Sequence, residues 1–186
     1  MYLFVDTETG GLDTSFSLLT VAAAVTDKDF NVMSQICFGV KPPTYVVDPN
    51  AIRVNKINLA EHSSNSLSLE MASTQFLEFL EENFVASNRR KLIPAGHNVK
   101  FDLDFIWSYL LPEQDWREFC THPALDTAVL ARFFAAADRI PPAFNLVALR
   151  QLFDIETGEA HSAQNDVMAT IQVAKRFFAL LNAQSV

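Results

Sequence analysis

The sequence predicts an α/β fold in which a mixed β-sheet is flanked by helices. The first forty residues carry three short apolar segments separated by polar turns, which is typical of an antiparallel meander. From about residue 67 onward, apolar residues recur mainly at helical spacing, interrupted by a further strand-like segment. A meander followed by helices interleaved with short strands indicates a sheet that combines antiparallel and parallel strands.

Four segments rich in apolar, β-branched and aromatic residues are predicted as strands: residues 2–5, 18–26, 31–40 and 91–95. The first is expected to end at Asp6, and the polar turn 27–29 joins the second to the third. Lys41, Pro42 and Pro43 then end the meander and open a loop that runs to about Pro49. The break after the fourth strand falls at residues 96–98.

Apolar residues at helical spacing predict five helices: residues 67–85, 101–110, 125–137, 146–153 and 163–181. Ser66 or Ser68 is the candidate N-cap of the first helix, and Pro112 ends the second. No repeat, charged block or flexible linker divides the chain, so one domain over residues 1–186 is predicted.

Composition excludes several classes of protein. The chain is 49% hydrophobic and 19% charged, with 16 phenylalanines, which excludes intrinsic disorder. Its two cysteines, Cys37 and Cys120, are too few for a disulfide framework, and no cysteine–histidine cluster suggests zinc. The apolar segments are too short to cross a membrane, and the N-terminus lacks the basic region of a signal peptide. A reducing, cytoplasmic location is therefore expected.

The charge balance bears on the kind of partner. Twenty-two acidic and fourteen basic residues give a net charge of −8, which argues against a broad basic surface that holds nucleic acid. An enzyme that meets phosphates through divalent cations is not excluded, because its metal ligands would be carboxylates.

Four carboxylates are predicted at the ends of elements, where they could meet: Asp6, Glu8, Asp102 and Asp166. Asp6 and Glu8 lie two residues apart at a strand end and so share a face. Mg²⁺ and Mn²⁺ prefer hard oxygen ligands, and four carboxylates can hold two such ions. Taken singly, each residue has a structural alternative, as a solvated turn residue or a helix cap. His161 precedes Asp166 by five residues and has the same alternatives.

Three segments resemble the motifs of one enzyme family, in the family's order: 6–12 (DTETGGL), 97–102 (HNVKFD) and 161–166 (HSAQND). These motifs are similar to those of the DEDDh (DnaQ-like) 3′→5′ exonucleases, which belong to the ribonuclease H-like superfamily. The segment 126–132, with Asp126, Thr127 and Arg132, resembles a helix start found between the second and third motifs. Gly10 departs from the pattern, because many members carry threonine there.

The resemblance implies a role for each matched residue. Asp6, Glu8, Asp102 and Asp166 would ligate two Mg²⁺ or Mn²⁺ ions, and His161 would be the general base. In the second motif the register favours Asp102 over Asp104, since residues two apart on a helix face different sides.

The same resemblance implies residues that hold the substrate. The candidates at the 3′-terminal nucleotide are Thr9, Gly10, Leu12, Asn98 and Phe101. Leu12 is either a wedge against the terminal base or a buried loop anchor. Phe101 either lines the cleft or packs in the core.

The implied activity is metal-dependent 3′→5′ exonucleolytic cleavage of single-stranded DNA or RNA, which releases nucleoside 5′-monophosphates. The alternatives are a catalytically inactive nucleic-acid-binding domain and a proofreading subunit tethered to a polymerase. Because the chain ends directly after its last helix, a free-standing nuclease is favoured over a stable polymerase partner, and a homodimer remains open. A phosphatase with an aspartyl nucleophile would want Asp-x-Asp where this chain has Asp6-Thr7-Glu8.

Overall fold

The computed structural model describes residues 1–158 and 162–182. These residues form six strands: β1 (Tyr2–Thr9), β2 (Leu18–Thr26), β3 (Val32–Lys41), β4 (Leu67–Ser68), β5 (Ile93–Gly96) and β6 (Leu125–Asp126). The strands make one sheet in the order β4-β3-β2-β1-β5-β6. β1, β2 and β3 are antiparallel neighbours, whereas β5 is parallel to both β1 and β6. The predicted mixed sheet with its antiparallel meander is confirmed.

The helices of the described residues are α1 (Pro49–Asn55), α2 (Leu59–Asn65), α3 (Leu69–Ala86), α4 (Val99–Tyr109), α5 (Glu113–Phe119), α6 (Thr127–Ala136), α7 (Leu146–Leu152) and α8 (Ala163–Asn182). Ser68 is the N-cap of α3, where its hydroxyl accepts a hydrogen bond from the Met71 amide, whereas Ser66 ends α2. Among these helices, none combines the length and hydropathy needed to cross a bilayer.

Two of the predicted boundaries that differ from the structure lie near the site. The first strand does not end at Asp6, because Thr7 and Glu8 remain paired with Val21 and Thr20 of β2 and carry β1 on to Thr9. The helix expected from Leu125 begins at Thr127, because the two residues before it pair with the end of β5. In both places, pairing with a neighbouring strand decides the local structure.

Four short elements were not predicted, namely α1, α2, α5 and β4. Each has seven residues or fewer, which is too short for a periodic pattern to emerge. The start of α1 nevertheless carries a recognisable signal. Asp48 caps the helix by accepting from the Asn50 amide, and Pro49 occupies the first helical position.

The alternation of side chains along β1 builds a core on each face of the sheet. Leu3 and Val5 pack with α3, α4 and α5, whereas Phe4 points to the opposite face and packs with α8. On β2, Ala22 and Ala24 also belong to the α8 cluster. Their small side chains leave room for α8 to lie close against the sheet. The start of α8 therefore comes near the end of β1.

Candidate active site

The predicted site residues meet at the carboxyl end of β1, where the first turns of α4 and α8 approach from opposite faces. By strand alternation, Asp6 and Glu8 follow Phe4 toward the α8 face, and Thr7 follows Val5 toward the α4 face. Asp166 lies in the first turn of α8 and Asp102 in the first turn of α4. The strand end thus presents polar groups to both helices.

Three of the four predicted carboxylates form a compact cluster. Asp6, Glu8 and Asp166 each offer one oxygen atom, and these atoms lie within 4.8 Å of one another. Burial, together with the charges of Asp102, Asp166 and Glu8, raises the pKa of Asp6 well above its usual value. Burial and the charge of Asp166 raise the pKa of Glu8 to about 7.

This donor set fits a hard divalent cation. The three groups supply only oxygen atoms, which Mg²⁺ and Mn²⁺ prefer. Carboxylates held this close repel one another when ionised, and a bound cation removes that repulsion. The cost of burying the cluster is therefore explained if its function is to bind metal.

The fourth carboxylate, Asp102, approaches from the other face and is firmly held. One of its oxygens, Oδ1, accepts hydrogen bonds from the Thr7 amide and the Thr7 hydroxyl, both at 2.8 Å. Burial raises the pKa of Asp102 to about 7, and the Thr7 hydrogen bonds oppose that rise. Asp104 instead pairs with Lys100 along the outer side of α4. The geometry thus agrees with the choice of Asp102 over Asp104.

Asp126 fixes the start of α4. Its carboxylate accepts from the amides of Asn98 (3.0 Å) and Val99 (3.2 Å), and also caps α6 through the Ala128 amide. Asn98 is in the left-handed region (φ 62°) and its side chain is exposed. The backbone of Asn98 therefore helps to place α4. Its side chain does not line the cleft that opens beside Glu8.

Of the two motif histidines, the structure describes His97 and not His161. His97 lines a cavity with Asp6 and Asp166, and its Nδ1 atom lies 3.0 Å from the Thr127 hydroxyl oxygen. Burial lowers the pKa of His97. The predicted general base, His161, lies outside the described residues.

A cleft of about 380 Å³ opens beside Glu8. Thr9, Gly11 and Leu12 line it on the β1 side together with Phe101, and α1 with its cap supplies the opposite wall, at Asp48, Asn50, Ala51, Val54 and Asn55. The side-chain amide of Asn55 donates to the Thr9 carbonyl (3.1 Å) and so connects the α1 wall to the first motif. The α1 wall was missed in the sequence, although Asp48 and Pro49 mark the helix start.

Leu12 and Phe101 form a ridge at the edge of this cleft. Both also line a second cavity of about 240 Å³, whose other walls include Asp13 and Asp104. Leu12 is 87% exposed, which is unusual for leucine, so it is not the buried loop anchor considered above. Phe101 is half-buried, and it packs against the core cluster while it lines both cavities.

Gly10 lies behind the cleft in a space that admits no side chain. Its amide donates to the Ser17 carbonyl (2.7 Å), and its carbonyl accepts from the Asp48 amide (2.6 Å). A Cβ atom at this position would lie 2.5 Å from the Val46 carbonyl oxygen. The segment from Val46 to Asp48 thus occupies the place of the side chain that Gly10 lacks.

Arg150 is a further residue of the site that the motifs do not include. It lies on α7, its side chain is 13% exposed, and its Nη1 atom lies 3.6 Å from Oδ1 of Asp166. Its Nη2 atom donates to the Gly158 carbonyl at 2.6 Å. No local pattern marks this arginine, because its contacts depend on how α7 packs against α8.

The chain is similar in sequence to known nucleases. The RNase T family model, described as an exonuclease, matches residues 3–174. Exodeoxyribonuclease I of Buchnera aphidicola is 28% identical over 194 residues, which cover 94% of this chain and 38% of that protein. Oligoribonuclease of Francisella tularensis is 28% identical over 140 residues, which cover 69% of this chain and 72% of that protein.

A solved structure gives the same fold. The crystal structure of E. coli exonuclease I in complex with a dT13 oligonucleotide superimposes with a TM-score of 0.80, at 24% identity, over 98% of this chain and 42% of that chain. This likeness confirms the predicted ribonuclease H-like fold class. The chain spans about two-fifths of the length of these exonuclease I relatives.

Proposed function

Because the chain belongs to the RNase T family of exonucleases, we propose that it removes nucleotides from the 3′ end of single-stranded nucleic acid by metal-dependent hydrolysis. The products would be nucleoside 5′-monophosphates. One observation carries this proposal: the oxygens of Asp6, Glu8 and Asp166 converge beside a cleft that is large enough for a terminal nucleotide.

In this proposal, Asp6, Glu8 and Asp166 hold the divalent cations, and Asp102 contributes from the α4 face. Two Mg²⁺ or Mn²⁺ ions are proposed, since four carboxylates can neutralise two such ions. When bound, the cations would stabilise negative charge on the scissile phosphate and acidify the attacking water. The chain's own task is to keep the carboxylates ionised and correctly oriented, which Thr7 does for Asp102.

His161 is proposed as the general base. Water attacks the phosphorus atom and its proton passes to the imidazole. The bond to the 3′ oxygen of the preceding nucleotide breaks, and that oxygen takes a proton from solvent to become the new 3′-hydroxyl. Only neutral histidine can accept that proton, and an ordinary histidine pKa near 6.5 makes it available at neutral pH. The third motif supports this role through the position of His161 five residues before Asp166.

The cleft beside Glu8 is proposed to hold the 3′-terminal nucleotide. Thr9, Gly11 and α1 enclose it, and the ridge of Leu12 and Phe101 would separate the terminal base from the next one. Any of the bases can stack or pack on such apolar side chains, so the contact does not depend on the nucleotide sequence. A cleft whose volume suits one terminal nucleotide favours an exonuclease over an endonuclease.

Single-stranded DNA is the proposed substrate class. Exodeoxyribonuclease I of Buchnera aphidicola matches 94% of this chain, and the E. coli exonuclease I structure contains a dT13 oligonucleotide. A second candidate, short RNA, is favoured by the oligoribonuclease relative, 72% of whose length is matched. The two classes differ at the 2′ position of the terminal sugar.

Digestion of 5′-labelled oligonucleotides tests the activity. With Mg²⁺, a linear DNA strand should give a ladder that shortens from its 3′ end, and chelation by EDTA should stop it. A circular single strand should resist, because it has no end to enter the cleft. Rapid nicking of the circle would overturn the exonuclease proposal, and faster digestion of matched RNA would assign the chain to the second substrate class.

The pH–rate profiles of two histidine variants test the base. His161→Ala should lose about 10²–10⁴-fold in rate and lose the rise of activity with pH through the histidine range. His97→Ala is the matched control and should retain that rise. If the rise survives in the first variant and disappears in the second, His97 is the base.

A further inference from the structure

Arg150 is a cation placed among groups of the proposed active site. Its guanidinium lies 3.6 Å from Asp166, one of the three clustered carboxylates, and donates to the Gly158 carbonyl at 2.6 Å. Both side chains of the ion pair are largely buried, at 13% and 14% exposure. A buried guanidinium is costly unless it is paired, so this arginine depends on the two partners.

The two partners of Arg150 lie on either side of the third motif's histidine in the sequence. Gly158 precedes His161 by three residues, and Asp166 follows it by five. Gly158 has φ +83°, and a Cβ atom there would lie 2.8 Å from the Asn165 side chain, so the backbone at Gly158 packs closely on the first turn of α8. One side chain of α7 thus contacts a described residue on each side of the third motif's histidine in the sequence.

Charge gives Arg150 a second effect. Asp6, Glu8 and Asp166 repel one another when they are ionised, because one oxygen atom of each lies within 4.8 Å of those of the other two. The guanidinium of Arg150 is a cation 3.6 Å from Asp166, so it offsets part of the negative charge of that carboxylate whether or not metal is bound. One nitrogen of its planar group donates to the Gly158 carbonyl while another lies beside Asp166, an arrangement that a lysine ammonium does not reproduce.

We propose that Arg150 is a positioning residue, which orients Asp166, anchors the backbone at Gly158 ahead of His161, and balances the carboxylate cluster when metal is absent. Its effect on the rate rests on the proposed exonuclease function. Its effect on the metal-free cluster depends only on the ion pair. The two effects can therefore be measured separately.

Three variants of the full chain separate charge, geometry and simple packing. Arg150→Met removes the charge and keeps an apolar stem, whereas Arg150→Lys keeps the charge and removes the fork. Arg139→Met is the matched control, because Arg139 is also partly buried and donates to a single backbone carbonyl, that of Leu180, on α8.

Thermal unfolding in EDTA and in saturating Mg²⁺ tests the charge. Arg150→Met should lose more stability in EDTA than in Mg²⁺, so that the Mg²⁺-induced rise in Tm exceeds that of the wild type by about 2–4 °C. Arg150→Lys and Arg139→Met should show the wild-type rise. A packing role alone would lower Tm equally in both conditions, and that result would overturn the charge effect.

Steady-state kinetics with a single-stranded DNA substrate test the positioning. Arg150→Met should lower kcat about tenfold or more with little change in KM, since small misplacements of reacting groups are costly. Arg150→Lys should keep part of the wild-type kcat, and Arg139→Met should keep all of the wild-type kcat. Wild-type kcat in Arg150→Met would contradict the positioning role. If the wild type itself cleaves nothing, the proposed function fails, while the unfolding comparison still decides the charge effect. A wild type with neither cleavage nor a Mg²⁺-induced rise in Tm would overturn both the proposed function and the charge effect of Arg150.

Discussion

Thr7 donates two hydrogen bonds, from its amide and its hydroxyl, to the same oxygen of Asp102. Thr7 lies between Asp6 and Glu8 on β1. This one strand end therefore places two carboxylates on the α8 face of the sheet and holds a third, that of Asp102, on the α4 face. Thr7 therefore holds Oδ1 of Asp102 with two donors, while its neighbours on the strand turn their carboxylates toward α8.

Thr7→Val removes the hydroxyl bond and keeps the shape of the side chain. A hydrogen bond to an ionised group contributes about 1.5–3 kcal/mol, so we expect the free energy of unfolding to fall by about that much at pH 8. The pKa of Asp102 should rise further, which moves the acid limb of the pH–rate profile to higher pH. Thr26→Val is the control, since Thr26 is also buried and donates to a carbonyl, that of Asp27, far from the site. An unshifted acid limb in Thr7→Val would show that its hydroxyl does not tune Asp102.

The raised pKa values predict how the stability of the metal-free protein depends on pH. The pKa of Glu8 rises from 4.5 in the unfolded chain to about 7 in the fold, so the folded state binds more protons between these values. Stability in EDTA should therefore fall as pH increases from about 5 to about 7, and level off above that. Thermal unfolding across this range measures it. Glu8→Gln should flatten the decline, and saturating Mg²⁺ should weaken it.

Two aspartates near the start of α4 should respond differently to the same change. Asp102→Asn removes the buried carboxylate that approaches the site from the α4 face, and cleavage should fall at least about 100-fold with Mg²⁺. Asp104→Asn alters the outer side of the helix, where Lys100 is the partner, and should keep nearly full activity. The measurement is the initial rate on single-stranded DNA. Equal losses in both variants would contradict the assignment of Asp102.

Leu12→Ala should raise KM with little effect on stability. Leu12 is 87% exposed on the ridge, so its truncation removes contact with a bound base and almost no packing. Stacking of a base on an aromatic side chain contributes about 1–3 kcal/mol, or about 5- to 150-fold in affinity. The aliphatic Leu12 should contribute at the lower end, so we expect KM to rise about 5- to 10-fold. Val85→Ala is the control, because Val85 is an exposed apolar residue on α3. If both variants keep the wild-type KM, the ridge does not hold the substrate.

Lys56→Gly should stabilise the protein. Lys56 ends α1 in the left-handed region (φ 58°), where a side chain is strained and glycine is not. We expect the free energy of unfolding to rise by about 1 kcal/mol, as judged by chemical denaturation. The same substitution at Arg176, an exposed interior position of α8, should lower it by about 1 kcal/mol. A loss of stability in Lys56→Gly would mean that the lysine side chain makes a favourable contact.

The sequence predicts the carboxylate cluster better than its surroundings. Asp6, Glu8, Asp102 and Asp166 could be found because each lies at the end of an element that periodicity reveals. The cleft wall at α1 could not be found by periodicity, because seven residues show no pattern. Its only sequence signal is the pair of Asp48 and Pro49.

Strand alternation placed Asp6 and Glu8 on one face in the sequence analysis. The position of Thr7 on the opposite face, where it bonds Asp102, was not predicted, because the strand was expected to end at Asp6. Arg150 could not have been deduced, because its partner Asp166 lies sixteen residues later in the chain and meets it only through the packing of α7 on α8.

A side chain at position 10 and the present position of the segment from Val46 to Asp48 cannot coexist. Threonine cannot enter at position 10 while the Val46 carbonyl lies 2.5 Å from the place of its Cβ atom. The segment cannot withdraw without moving Asp48, which caps α1 and shapes the wall of the cleft. A side chain at position 10 therefore requires a simultaneous rearrangement of a loop that lies more than thirty residues later in the chain. The first motif and the α1 wall of the cleft can in this sense change only together.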